Sequence, residues 1–189
     1  MAEGLTVASR PYPWPWHGTF TPRHTALLVF RDGALRPPDR ATAALLTSLA
    51  GLAEQAGLTI VELPRQSPLR PSAAFGTGVM VARPHYGGFS GTDLDVVLRR
   101  RGITDLILAG FPFELGADCT MRQANDLGYE CLALTDCCTG LAADTLAGAM
   151  SSIQLSGGIF GAVAETAAVL DLFARACEAD PTHSPGARQ

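Results

Sequence analysis

The chain has 189 residues, of which 47% are hydrophobic and 17% charged, with a formal net charge of -4. That length supports one domain with a sizeable core, and the charge excludes the basic surplus that nucleic-acid binding needs. The apolar runs are too short for a membrane span and the proline-rich start is unlike a signal peptide, so the expected location is the cytoplasm.

Residues 1–24 form an expected N-terminal arm, in which PYPWPW at Pro11 to Trp16 favours an extended, polyproline-like path with aromatic rings free to pack. From residue 25 to residue 179 apolar runs of strand length alternate with longer helical patterns. Strands are expected at Ala26 to Phe30, Thr59 to Leu63, Val79 to Ala82, Asp105 to Ala109, Glu130 to Leu134 and near Gly158 to Gly161. Helices are expected at Asp39 to Gly57, Thr92 to Gly102, Leu115 to Gly128, Ala142 to Leu155 and Ala164 to Ala179, with Gly57, Gly102 and Gly128 as terminators. This alternation predicts an α/β fold, a three-layer α/β/α sandwich around a mostly parallel, Rossmann-like six-stranded sheet. The polar tail at 180–189 is expected to be disordered.

The run YGGFSGTDLDVVLRRRGITDLILAGFPFELGADCTMRQANDLGYECLALTDCC, beginning at Tyr86, resembles the isochorismatase-like hydrolase superfamily, most closely its cysteine amidohydrolases of the biuret and ureidoacrylate type. Members carry a strand, a G-V-x-T-[DE]-V-C turn and a T-x-R-x-A-x-D-x-G-Y helix. Here the turn is Gly110, Phe111, Pro112, Phe113, Glu114, Leu115, Gly116, and the helix runs from Thr120 to Tyr129. PYPWPW, TALLVF at Thr25 to Phe30 and GGIFGAV at Gly157 to Val163 also fall in family order, so the resemblance covers nearly the whole chain.

The resemblance implies an active site of three residues: an aspartate after the first strand, a lysine after the third, and a cysteine opening the helix. Arg31, Arg83 and Gly116 stand at those positions. Asp32 is one residue late, which turns a strand side chain to the opposite face unless the strand ends or bulges there. The chain has no lysine, and arginine is a poor proton shuttle although it binds anions well. Without sulfur at Gly116 a thioester cannot form there, yet the amides of Gly116 and Ala117 at a helix start remain a candidate anion cradle. Isochorismatases resemble this chain in lacking the cysteine, but they keep the aspartate and lysine. Cys119 lies almost one turn further along, and all five cysteines read most simply as packing residues.

Strand ends bring Arg31, Arg83 and the Phe111 to Gly116 turn to one edge. Two readings of that edge stand. It is an electropositive pocket, with Arg31, Arg83, Tyr86, Phe111, Phe113, Gly116 and Ala117 holding an anionic small molecule and Asp32, Glu114 or Asp118 moving protons. Alternatively, ion pairs and the two phenylalanines fill the old cavity. No metal site or other cofactor is expected, because the stretch from Leu63 to Gly78 has no histidine or acid where the metal-dependent relatives carry both. The first reading makes the protein a divergent enzyme of noncovalent hydrolysis, elimination or cyclisation. The second makes it an inactive homologue that binds a metabolite or stabilises a partner. The low charge fraction suggests a homo-oligomer, dimer or tetramer.

Overall fold

The structure is a computed structural model that describes residues 5–32, 38–65 and 78–179. The expected tail, Gly33 and most of the 63–78 stretch lie outside those residues. In chain order the elements are β1 (Thr25–Arg31), α1 (Arg40–Gln55), β2 (Thr59–Pro64), β3 (Val79–Met80), α2 (Leu94–Arg100), β4 (Asp105–Phe111), α3 (Ala117–Asp126), β5 (Glu130–Cys138), α4 (Ala143–Leu155), β6 (Ala162–Ala164) and α5 (Thr166–Ala179).

The six strands form one sheet in the order β3-β2-β1-β4-β5-β6, every neighbouring pair parallel. Strands buried on both faces need continuous apolar runs, and β1 and β4 are such runs. Alternation sends Leu27 and Val29 into one core layer with residues of α1 and α5, and Leu28 and Phe30 into the other with residues of α2, α3 and α4. The Asp39 carboxylate starts α1 by accepting from the Thr42 N–H at 2.7 Å. Among the described residues no helix is long and apolar enough to cross a membrane.

Most bounds fall within two residues of the sequence expectation, and β5 and β6 differ most. β6 begins at Ala162 rather than Gly158, because Gly157, Gly158 and Gly161 all take positive φ and form the turn that delivers the strand. β5 runs on to Cys138, four residues past the expected end, after a register irregularity between Leu108 and Gly110 of β4.

The arm packs on its own domain. Trp14 is fully buried against Phe20, which in turn meets Phe173 of α5. Arg10 pairs antiparallel with Val163, so the arm covers the open edge of β6.

Candidate active site

Phe30, Arg31 and Asp32 close β1, and alternation decides what each can do. Phe30 points to the α3 side. Arg31 points to the α1 side, where its Nη1 donates to Glu62 Oε2 at 2.9 Å. Asp32 returns to the α3 side, 4% exposed, with its N–H donating to Phe111 O at 3.2 Å. Its carboxylate faces Arg65 Nη1 at 3.5 Å and lies within electrostatic reach of Arg83. Asp32, the residue after the end of β1, thus lies on the same side as Phe30. The expected juxtaposition of Arg31 and Arg83 does not occur, since they lie on opposite faces of the sheet.

Arg83 is 1% exposed. Its Nε donates to Leu63 O at 2.8 Å, its Nη1 to Tyr86 O, and its guanidinium lies 5.2 Å over the Phe30 ring. Burial lowers its pKa to about 10, with the Asp32 charge opposing that shift, so it stays cationic at neutral pH. Arg65, which sequence reasoning missed, stands beside it through a parallel bridge and stacks 4.4 Å over the half-exposed Tyr86 ring. The usable signal was its position just beyond β2, at the same carboxyl edge as the other candidates.

The turn from Gly110 to Gly116 is committed inward. The Phe111–Pro112 peptide is cis. Phe111 belongs to the α1-side core and Phe113, fully buried, to the α3-side core, so neither lines an open pocket as expected. The Gly116 N–H donates to Pro112 O at 3.0 Å, which removes one of the two cradle amides; Ala117 is fully buried behind it. A Cβ on Gly116 would lie 2.9 Å from Phe30 Cδ1 and 3.2 Å from its Cγ. A side chain at position 116 would therefore have to displace the Phe30 ring.

Glu114 and Asp118 sit apart from Asp32. The Glu114 carboxylate accepts from Leu141 N–H at 3.1 Å and from Thr145 Oγ1 at 2.5 Å, fastening the turn to the start of α4. Asp118 pairs with Arg122 one helical turn on, at 3.1 Å. The structure thus does not bring the three acids expected as proton carriers together. Cys119 is half-buried and donates to Glu114 O at 3.5 Å; burial foremost, then Asp118, raises its thiol pKa, against the pull of Arg122 and Arg83.

These environments order the thiols. Cys177 is exposed, Cys119 partly covered, and Cys131, Cys137 and Cys138 buried with raised pKa values. Native protein treated with Ellman's reagent near pH 8 should show one fast thiol, one slow, and three released only in denaturant. A fast thiol mapped to Cys119 by mass spectrometry would contradict this ordering.

A family model described as the isochorismatase domain matches residues 53–168. An uncharacterised isochorismatase family protein of Bacillus subtilis, YwoC, is 45% identical over 56 residues, 30% of this chain and 30% of that protein. The ureidoacrylate amidohydrolase RutB of Acinetobacter baylyi is 37% identical over 60 residues, 32% of this chain and 24% of that protein. The chain thus spans less than a third of either relative's length in the matched segments. Among solved structures, a cysteine hydrolase from Pseudomonas syringae pv. phaseolicola 1448A superimposes with a TM-score of 0.76 at 22% identity, covering 93% of this chain and 100% of that one.

Proposed function

This chain belongs to the isochorismatase-like hydrolase superfamily, and from that premise we propose that it acts on a small carboxylate-bearing metabolite by acid/base chemistry without a covalent thiol intermediate. The observation that carries this reading is the pairing of an occluded nucleophile seat, Phe30 against Gly116, with a buried acid, Asp32, facing two guanidinium groups. In it Asp32 moves the proton, Arg65 and Arg83 balance charge on substrate and acid, and Tyr86 forms the outer wall. Hydrolysis, elimination and cyclisation all need such a proton carrier, and none of them requires sulfur. A homo-oligomer, dimer or tetramer, in the cytoplasm completes the proposal, with support from the 17% charge fraction.

Turnover should be sought with purified protein against a panel of small carboxylate-bearing amides, ureides and vinyl ethers. Asp32→Asn is expected to lower kcat/KM on any active member by about 100-fold or more, whereas prior alkylation with iodoacetamide leaves the parent rate unchanged. Loss of activity on alkylation, with Asp32→Asn fully active, would overturn the assignment.

A second reading is favoured by one further observation: Arg83 commits two donors to backbone carbonyls while Asp32 and Arg65 face each other. Charges satisfied in this way suit an inactive homologue that binds a metabolite or stabilises a partner. Carboxylate binding that Arg65→Ala abolishes, with no turnover across the panel, would favour it.

A further inference from the structure

The amino-terminal edge of the sheet holds a separate cavity of about 340 Å³, lined by Tyr12, Trp16, Glu130, Gly157, Gly158 and Ile159. It lies one strand length from the candidate active site, roughly 20 Å at the usual rise of a parallel strand. The arm and the glycine turn before β6 therefore build it, and nothing in the active-site reading uses it.

The rings of Tyr12 and Trp16 stand at 89° with centroids 5.1 Å apart, making two walls of a corner. Glu130 forms the base. Its Oε1 accepts from Tyr12 OH at 2.7 Å and from the Trp16 backbone N–H at 3.2 Å, and among the described residues Oε2 has no donor and the carboxylate no ion-pair partner. Its register neighbour on β4 is another acid, Asp105, which is paired with His17 Nε2 at 3.0 Å. Gly158 keeps the corner tight, because a Cβ there would meet Tyr12 Cε1 at 2.7 Å. The two tryptophans differ in use: Trp14 is fully buried in the core, whereas Trp16 is 73% exposed and lines the cavity.

We propose that this corner binds a small alkylammonium cation, with the Glu130 carboxylate as counter-ion and the Trp16 ring as the face that receives the alkylated nitrogen. An aromatic face and a carboxylate attract the same sign of charge, and a cation whose charge is spread over alkyl groups loses little hydration on leaving water. A divalent metal is a poorer fit, since hard cations need six or more oxygen ligands and the corner offers one carboxylate. Anions are repelled by Glu130 and Asp105.

The test titrates tetramethylammonium chloride into 15N-labelled protein, with sodium chloride at matched ionic strength and tert-butanol as a neutral analogue. Saturable shifts of the Trp16 indole and the Gly157 and Gly158 amides are expected with tetramethylammonium alone. Glu130→Gln and Trp16→Ala should each weaken binding at least 10-fold, while Asp32→Asn at the opposite edge leaves it unchanged. Equal shifts with sodium chloride or tert-butanol, or undiminished binding in Glu130→Gln, would overturn the proposal. Should Glu130→Gln perturb the fold, seen as a lower melting temperature, Trp16→Ala decides alone, because that side chain is exposed and its removal leaves the core intact.

Discussion

Gly110→Ala is expected to leave little or no folded protein. Gly110 has φ +117°, a region that side-chain-bearing residues rarely enter, and an added Cβ would lie 2.2 Å from Phe30 O and 2.7 Å from Phe30 N. Those are backbone atoms of the central strand, so no rotamer change relieves the contact; β1 and β4 would have to part where they hold both sides of the site. Backbone strain of about 1–3 kcal/mol adds to an overpacking cost of about 1–3 kcal/mol, and relaxation that separates a central ladder adds more. Against a typical total stability of about 5–15 kcal/mol, the loss is a large fraction. Urea unfolding against Gly51→Ala provides the comparison, because Gly51 lies within α1 with open space around its would-be Cβ. That control should be neutral or gain about 0.5–1 kcal/mol. A Gly110→Ala protein with an unchanged urea midpoint would show that the β1–β4 contact yields more easily than its geometry indicates.

The same contact explains what the sequence could and could not reveal. Apolar runs of strand length set between helical patterns locate β1, β2 and β4 within two residues, because burial on both faces demands such runs. The Gly157 to Gly161 run has strand-like neighbours, but positive φ is a property of the turn it makes, and only the folded backbone displays it. At the site, family order pointed to segments that meet at one sheet edge but carried no information on the faces their side chains take. Arg31 occupies the acid's place in the alignment, yet strand alternation turns it to Glu62, and Asp32 takes the inward position. Arg65 was overlooked although its place just beyond β2 marks the same carboxyl edge, because its contacts with Asp32 and Tyr86 are tertiary and have no local pattern. Phe30 was hidden in plain view: one apolar residue in an apolar strand carries no sign that it fills the space a cysteine would need.

That last point yields the second large effect. Phe30→Ala should cost about 3–5 kcal/mol, since the ring is fully buried, touches the Gly116 seat and lies beneath the Arg83 guanidinium. Gly116→Cys alone should cost about 1–3 kcal/mol by overpacking against the same ring. Combined, the two changes compensate, because the new side chain enters the space that the phenyl ring leaves; the double variant should be more stable than the sum by about 0.5–3 kcal/mol. Urea denaturation of the four proteins measures this coupling, and strictly additive losses would mean that Phe30 does not occupy the space beside Gly116. A thiol placed at position 116 is not expected to bring amide hydrolysis with it. The cation on the far side of the space that Phe30 leaves is Arg83, whose pKa of about 10 and two backbone hydrogen bonds leave it cationic and fixed at neutral pH. The sulfur would gain electrostatic support as a thiolate but no partner able to return a proton to a leaving amine. Alkylation of the introduced thiol in the double variant, with no turnover of amides or ureides, is the expected pair of results. Measurable hydrolysis would show that space at Gly116 alone decides whether a thiol there can react, and relieve Arg83 of any part in it.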